Sequence, residues 1–268
     1  MPVELVHAPK LPRLRFSRLK LMDRSAAHYE YGKIEEKSPM RKGTALHAYL
    51  LGQKDRVVIY KGGARNEKFA KYQEFLAENK GKTILIPSET VDVEGMRRSI
   101  EKHPEAMRLL DGIQEQMITW TMNGRECQAQ PDVIHLRSDH KVVVELKSVF
   151  TAKPELLKWH ARKMAYHAQV DWYGNGADQA MSYPASLPTE EHYIVAVESS
   201  PPYPVTILHV CGSMLEKGRR MWRSWFEKAL VCEESGHFPG YAQSILDWED
   251  EEPESDPLDW EDDDEEAA

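Results

Sequence analysis

The residues best placed to do chemistry lie between Pro131 and Lys147, in the run Pro-Asp-Val-Ile-His-Leu-Arg-Ser-Asp-His-Lys-Val-Val-Val-Glu-Leu-Lys. Two β-like runs, Asp132 to Leu136 and Lys141 to Leu146, flank a polar turn at Arg137 to His140, which reads as a hairpin. Residues two apart on a strand share a face, so Glu145 and Lys147 point one way while Val142, Val144 and Leu146 point the other. Asp132 opens the partner strand and can reach the same end of the sheet. Two carboxylates and an ammonium then converge. Paired carboxylates are hard oxygen ligands suited to Mg²⁺ or Mn²⁺. A neighbouring lysine can orient an attacking water and offset negative charge in a phosphoryl transition state.

The spacing Pro131-Asp132, then Glu145-Leu146-Lys147, is the pattern of the PD-(D/E)xK nuclease superfamily. A Glu-x-Lys on a strand also marks many solvated faces, so the elements that position it matter.

The chain has 268 residues, 41% hydrophobic and 29% charged, which fits a globular protein with a substantial core. No apolar run approaches the ~20 residues of a membrane span, and the N-terminus lacks the apolar stretch of a signal peptide, so a cytoplasmic location without membrane contact is expected. Cys127, Cys211 and Cys232 are odd in number and widely spaced, so neither a disulfide framework nor a Cys-x-x-Cys metal site is indicated. No Gly-rich phosphate loop appears, and ATP use is not indicated. The net charge of −9 conceals two parts: the run from Asp247 to Glu266 holds 14 acidic residues and no Lys or Arg, and without it 30 acidic residues face 35 basic ones. A mildly basic body, residues 1–245, permits nucleic-acid binding. The segment 246–268 reads as a disordered acidic tail.

The first 15 residues read as an extended arm. A helix capped by Ser17 is expected through about Tyr31. A basic loop, Lys37 to Lys42, leads to a short apolar helix, Gly43 to Gly52, that carries His47. On the residues alone His47 is either a core histidine or a ligand. Strands are expected at Asp55 to Tyr60 and Thr83 to Ile86, around a helix from Glu67 to Asn79. Ser88 caps a helix through Lys102 and Pro104 opens another. Strands near 115–122, 125–136 and 141–149 read as one antiparallel meander turning at Asn123-Gly124. Pro154 opens a helix through about Asp178, on which Arg162, Tyr166, Gln169 and Tyr173 form one polar-aromatic stripe. Strands at Glu191 to Val197 and Val205 to Val210 follow. Ser213 and Glu216 then read as the capping box of a last helix, to about Cys232.

Taken together, these pieces resemble the phage and prophage exonucleases related to exodeoxyribonuclease VIII (RecE), in the RecB-like branch of PD-(D/E)xK nucleases. The resemblance covers about residues 14 to 240. It is carried by Phe16 to Lys20, Gly43 to His47, Glu115 with Trp120, Pro131-Asp132, Glu145 to Ser148 and Tyr166 to Tyr173. It implies an α/β fold: a mixed central sheet flanked by helices, with an N-terminal helical region. His47 matches the helical histidine that such nucleases use as a metal ligand. Asp132, Glu145 and the Leu146 carbonyl would complete the metal set for two Mg²⁺ ions, with Mn²⁺ able to substitute. Lys147 would deprotonate or orient the attacking water. Gln169 and Tyr173 match the glutamine-tyrosine helix beside the active site, with Tyr166 and Arg162 on the same stripe as substrate contacts. Glu115 matches an acidic residue that some relatives place near the metals. Relatives with an iron–sulfur cluster use four cysteines, and this chain has three. The implied activity is 5′ to 3′ digestion of linear double-stranded DNA by a homo-oligomeric ring, leaving a 3′ strand for a single-strand annealing recombination protein. The alternatives are a structure-selective or single-strand DNA nuclease of the same fold, since the catalytic residues do not encode polarity, and a non-catalytic DNA-binding relative.

Overall fold

The computed structural model describes residues 11–33, 38–63, 65–66, 68–181 and 187–241. The acidic tail and most of the N-terminal arm lie outside the described residues. In chain order the elements are helices α1 (Phe16–Leu19), α2 (Ala26–Tyr31) and α3 (Ser38–Leu50), strand β1 (Val57–Ile59), helix α4 (Ala70–Glu78), strand β2 (Thr83–Leu85), helices α5 (Pro87–Glu101) and α6 (Pro104–Leu110), strands β3 (Ile113–Gln114), β4 (Ile118–Met122), β5 (Arg125–Ala129), β6 (Val133–Leu136) and β7 (Lys141–Val149), helices α7 (Pro154–Lys163) and α8 (Tyr166–Ala180), strands β8 (Thr189–Glu198) and β9 (Val205–His209), and helix α9 (Gly212–Ser235).

The hairpin is present, with Val133 opposite Val144 and Leu136 opposite Lys141. It forms the middle of a five-stranded mixed sheet, in the order β3-β6-β7-β8-β9. β7 and β8 run parallel and the other pairs are antiparallel. Strand alternation sends Val142, Val144 and Leu146 into a core with Ala45, Leu46, Val93, Met96 and Ile100 of α3 and α5. Val143 faces the opposite way, toward Val170 of α8 and Ile194. Glu145 and Lys147 share its parity and so face α8. With both faces covered, β7 carries the continuous apolar run Val142-Val143-Val144 before the polar Glu145 and Lys147.

The expected single meander is not formed. β4 and β5 make a separate two-stranded ribbon, while β6 and β7 belong to the main sheet. Pro131 has no N–H to donate to a ladder, and the chain changes sheets around it. The expected helix from Pro154 to Asp178 is two helices. Ala165 sits between them in the left-handed region, with φ 55. Alanine is the best helix former, so nothing local announces this break. The N-terminal helix is likewise divided: α1 begins at Phe16, and Ser25 starts α2 by accepting the His28 N–H at 3.2 Å. Residues 40–42, expected as loop, belong to α3. The α5 N-terminus is satisfied by Glu89, whose side chain accepts the Ile86 N–H at 3.1 Å, so Ser88 is not its cap. At α9 the N-cap is Cys211, not Ser213.

Helix α9 closes the fold behind α8. The buried Asp171 carboxylate accepts from Trp222 Nε1 at 2.6 Å and from an Arg219 guanidinium nitrogen at 2.9 Å. The two backbones touch at Gly218, where a Cβ would lie 2.6 Å from the His167 carbonyl oxygen and 2.8 Å from the Ala168 nitrogen. Backbone cannot step aside cheaply. Gly218→Ala is therefore expected to destabilise the protein by about 1–3 kcal/mol through overpacking, despite alanine's better helix propensity. Chemical denaturation checks this, and an unchanged midpoint would contradict the close approach.

Candidate active site

The end of β7 and the start of β6 gather the polar residues that the sequence singles out. Asp132 and Glu145 are both buried, at 7% and 4% exposure. Asp132 Oδ2 accepts the Leu146 N–H at 2.6 Å, and Oδ1 lies 3.0 Å from His47 Nδ1. Glu145 Oε1 accepts from Lys147 Nζ at 2.6 Å and from Gln169 Nε2 at 2.8 Å. Gln169 Nε2 also lies 2.8 Å from the Tyr173 hydroxyl. Lys147 Nζ sits 5.2 Å from the centre of the Tyr166 ring, a cation–π arrangement.

Each contact follows from local structure. A Cβ at Gly43 would come within 2.9 Å of Ser148 Oγ, so α3 crosses close to the end of β7. One helical turn later His47 faces Asp132. The break at Ala165 starts α8 at Tyr166, and i, i+3, i+4 spacing then lines Tyr166, Gln169 and Tyr173 along the face under Glu145 and Lys147. Arg162, on α7 beyond that break, is not brought to this site. It is exposed and lines a separate small cavity with Lys158, His167 and Leu208. Glu115 adjoins the site with a left-handed φ of 46, and its N–H donates to the Asp132 carbonyl at 2.9 Å.

The electrostatics divide the two carboxylates. Burial, then the nearby Asp132 charge, push Glu145 up to about 7. Burial also opposes ionisation of Asp132, but His47, Lys147 and the Leu146 N–H outweigh it and hold Asp132 below the usual carboxylate value. Burial disfavours a charged His47, but Asp132 raises its pKa above the ordinary histidine value. Glu115 is raised by burial and by Asp132. Burial drives the Tyr173 hydroxyl well above its usual value.

The donor set fits a divalent cation. Glu145 Oε2 is buried without a hydrogen-bond partner among the described residues, beside a second buried carboxylate. A cation between them would satisfy that oxygen and remove the repulsion. In a strand a residue's N–H and C=O face the same edge. Leu146 turns its N–H to Asp132, beyond the end of β6, so its carbonyl lies on that open edge as well. Among the described residues no three His, Cys, Asp or Glu side chains form a ready-made cage. Mg²⁺ keeps several waters and takes one or two carboxylates plus substrate phosphates, so a cage is not needed.

The site opens into a cleft of about 720 Å³, lined by His47, Glu115, Leu146, Lys147 and Tyr166 and also by Arg56, Phe150 and His160. The last three did not emerge from the sequence. Phe150 is 78% exposed immediately after β7, and no periodicity marks it. Arg56 reaches the cleft only because the segment around β1 and β2 packs on α3, a long-range contact.

Residues 15–246 match the model of a family described as a PDDEXK-like domain of unknown function. The chain belongs to this family. No curated protein matches the sequence of this PDDEXK-like domain. Among solved structures it is similar to a Eubacterium rectale protein described as a candidate exonuclease, with a TM-score of 0.60 and 13% identity over 89% of this chain and 91% of that one. The structure of SSO0001 aligns at a TM-score of 0.30 with 10% identity, over 82% of this chain and 87% of that one, too distant to carry an argument. The mixed sheet flanked by helices is thus the PDDEXK nuclease-type fold. Among the described residues no helix is long and apolar enough to cross a membrane.

Proposed function

We propose that this PDDEXK-like domain is a metal-dependent, ATP-independent DNA exonuclease of the exodeoxyribonuclease VIII type. It would act 5′ to 3′ on linear duplex DNA in the cytoplasm of a bacterial or phage-infected cell. The observation that carries this reading is the meeting of Asp132, Glu145, Lys147 and His47 at an open cleft, with one buried carboxylate oxygen that has no hydrogen-bond partner among the described residues. Asp132, Glu145, the Leu146 carbonyl and His47 are the residues that would hold Mg²⁺ or Mn²⁺, with Glu115 beside them. Bound there, the ions would polarise the phosphoryl oxygens and lower the pKa of water, supplying the nucleophile at neutral pH.

The protein's own groups do the rest. Lys147 is fixed between Glu145 and the Tyr166 ring, and its donors orient the attacking water and offset charge on the phosphodiester as the 3′-oxygen leaves. Gln169 holds Glu145 from the α8 side, and Tyr173 holds Gln169, so the carboxylate keeps its direction when the substrate arrives. Tyr166 stacks under the lysine and borders the cleft where the DNA strand would pass. A ring of subunits that delivers a 3′ strand to an annealing protein belongs to the same proposal.

Linear duplexes labelled at either the 5′ or the 3′ end test the reading. Early release of the 5′ label as mononucleotide, with the 3′ label kept on a long strand, is the expected result. Early release of the 3′ label would reverse the polarity. Internal fragments from closed circles would instead indicate a structure-selective or single-strand nuclease.

A further inference from the structure

Between α3 and α5 the chain makes a small lobe, β1–α4–β2, with its own apolar cluster of Tyr60, Tyr72 and Ile84, backed by Val58, Phe75 and Leu76. The two strands are parallel, with Val57 beside Thr83 and Ile59 beside Leu85. In a parallel ribbon both strands begin at the same end. That end therefore collects the residues just before each strand: Lys54 and Arg56 before β1, Lys80 and Lys82 before β2. All four are exposed. Among the described residues none of them makes an ion pair. Asp55 and Glu78, their acidic neighbours in sequence, make none either. Some cations elsewhere, Arg65, Arg97, Arg108 and Arg219, each hold a carboxylate, whereas others, such as Lys228 on α9, make no ion pair among the described residues. What sets the four apart is their shared place at the end of the ribbon beside the cleft.

The same end of the ribbon borders the active-site cleft. Gln53, Arg56, Gly81 and Thr83 line it together with Lys147 and Tyr166. The cleft thus has Glu115 in its wall and the buried Asp132 and Glu145 behind it, all of which repel a polyanion, and Arg56 on its rim with Lys54, Lys80 and Lys82 at the same end of a lobe that has its own packing. We propose that the 53–86 lobe is a grip for the DNA sugar-phosphate backbone, with Lys54, Arg56, Lys80 and Lys82 neutralising phosphates next to the scissile site. The proposal rests on the nuclease reading. Such contacts carry no sequence information. They set affinity and register, and each one adds to the salt dependence of binding by counterion release.

The test is binding of a labelled duplex to the full chain between about 50 and 200 mM salt, with Ca²⁺ replacing Mg²⁺, alongside cleavage in Mg²⁺. The Lys80→Ser/Lys82→Ser double variant is expected to weaken binding at least ~10-fold at low salt, with a log–log salt slope shallower by about 1.8. Arg56→Gln should lower the slope by about 0.9. Lys228→Ser, exposed on α9 away from the cleft, should keep the wild-type slope. Thermal unfolding of each variant verifies the fold. A double variant that is folded and binds with wild-type affinity and slope, while the wild type cleaves DNA, overturns the lobe's role and leaves the nuclease reading standing. A wild type that neither binds nor cleaves duplex DNA overturns both.

Discussion

Asp132→Ala is expected to reduce DNA hydrolysis by roughly 10³-fold or more, equivalent to about 4 kcal/mol of transition-state stabilisation. Asp132 is the residue on which the site converges. One oxygen meets His47 and the other takes the Leu146 N–H, so its removal breaks the polar bridge between β7 and His47 of α3 at the point where a cation would bind. Mn²⁺ binding, measured by calorimetry, should fall with activity. Stability should change less, because the lost hydrogen bonds are offset by relief of the repulsion between two buried carboxylates. A folded Asp132→Ala protein that cleaves DNA normally would sink the assignment.

Lys147→Ala is expected to cost a comparable factor, about 10²–10⁴, for a different reason. An ammonium has three donors and no acceptor, so it is not a ligand. The variant should therefore keep Mn²⁺ binding while losing hydrolysis. Loss of metal binding in both variants would mean that Lys147 serves only to hold Glu145 in place. Loss of activity with retained metal binding separates the two roles.

The parts of the site that lie on one strand or one turn were legible in the sequence. Period-two alternation puts Glu145 and Lys147 on one face, and the hairpin brings Asp132 to them. Longer-range placement was not legible. On its own residues His47 could be a core histidine, and what sets it against Asp132 is the tight crossing of α3 over Ser148, permitted by Gly43. Helical spacing carried through Ala165 groups Arg162 with Tyr166, Gln169 and Tyr173. The chain turns there at a residue whose propensity favours continuing. Strands β4 and β5 were legible as strands, yet alternation does not say which sheet a strand joins, and Pro131 breaks the ladder. The cationic end of the β1–β2 ribbon was equally hidden, because its four cations come from two segments joined only by parallel pairing.

The most direct test of the account is the release of acid-soluble nucleotides from linear duplex DNA by purified wild-type and Asp132→Ala proteins, each with Mg²⁺ and with a chelator. The account predicts release by the wild type in Mg²⁺ alone and background in the other three reactions. Equal release by both proteins, or release by the wild type that persists in chelator, would contradict a metal-dependent active site at Asp132, Glu145 and Lys147.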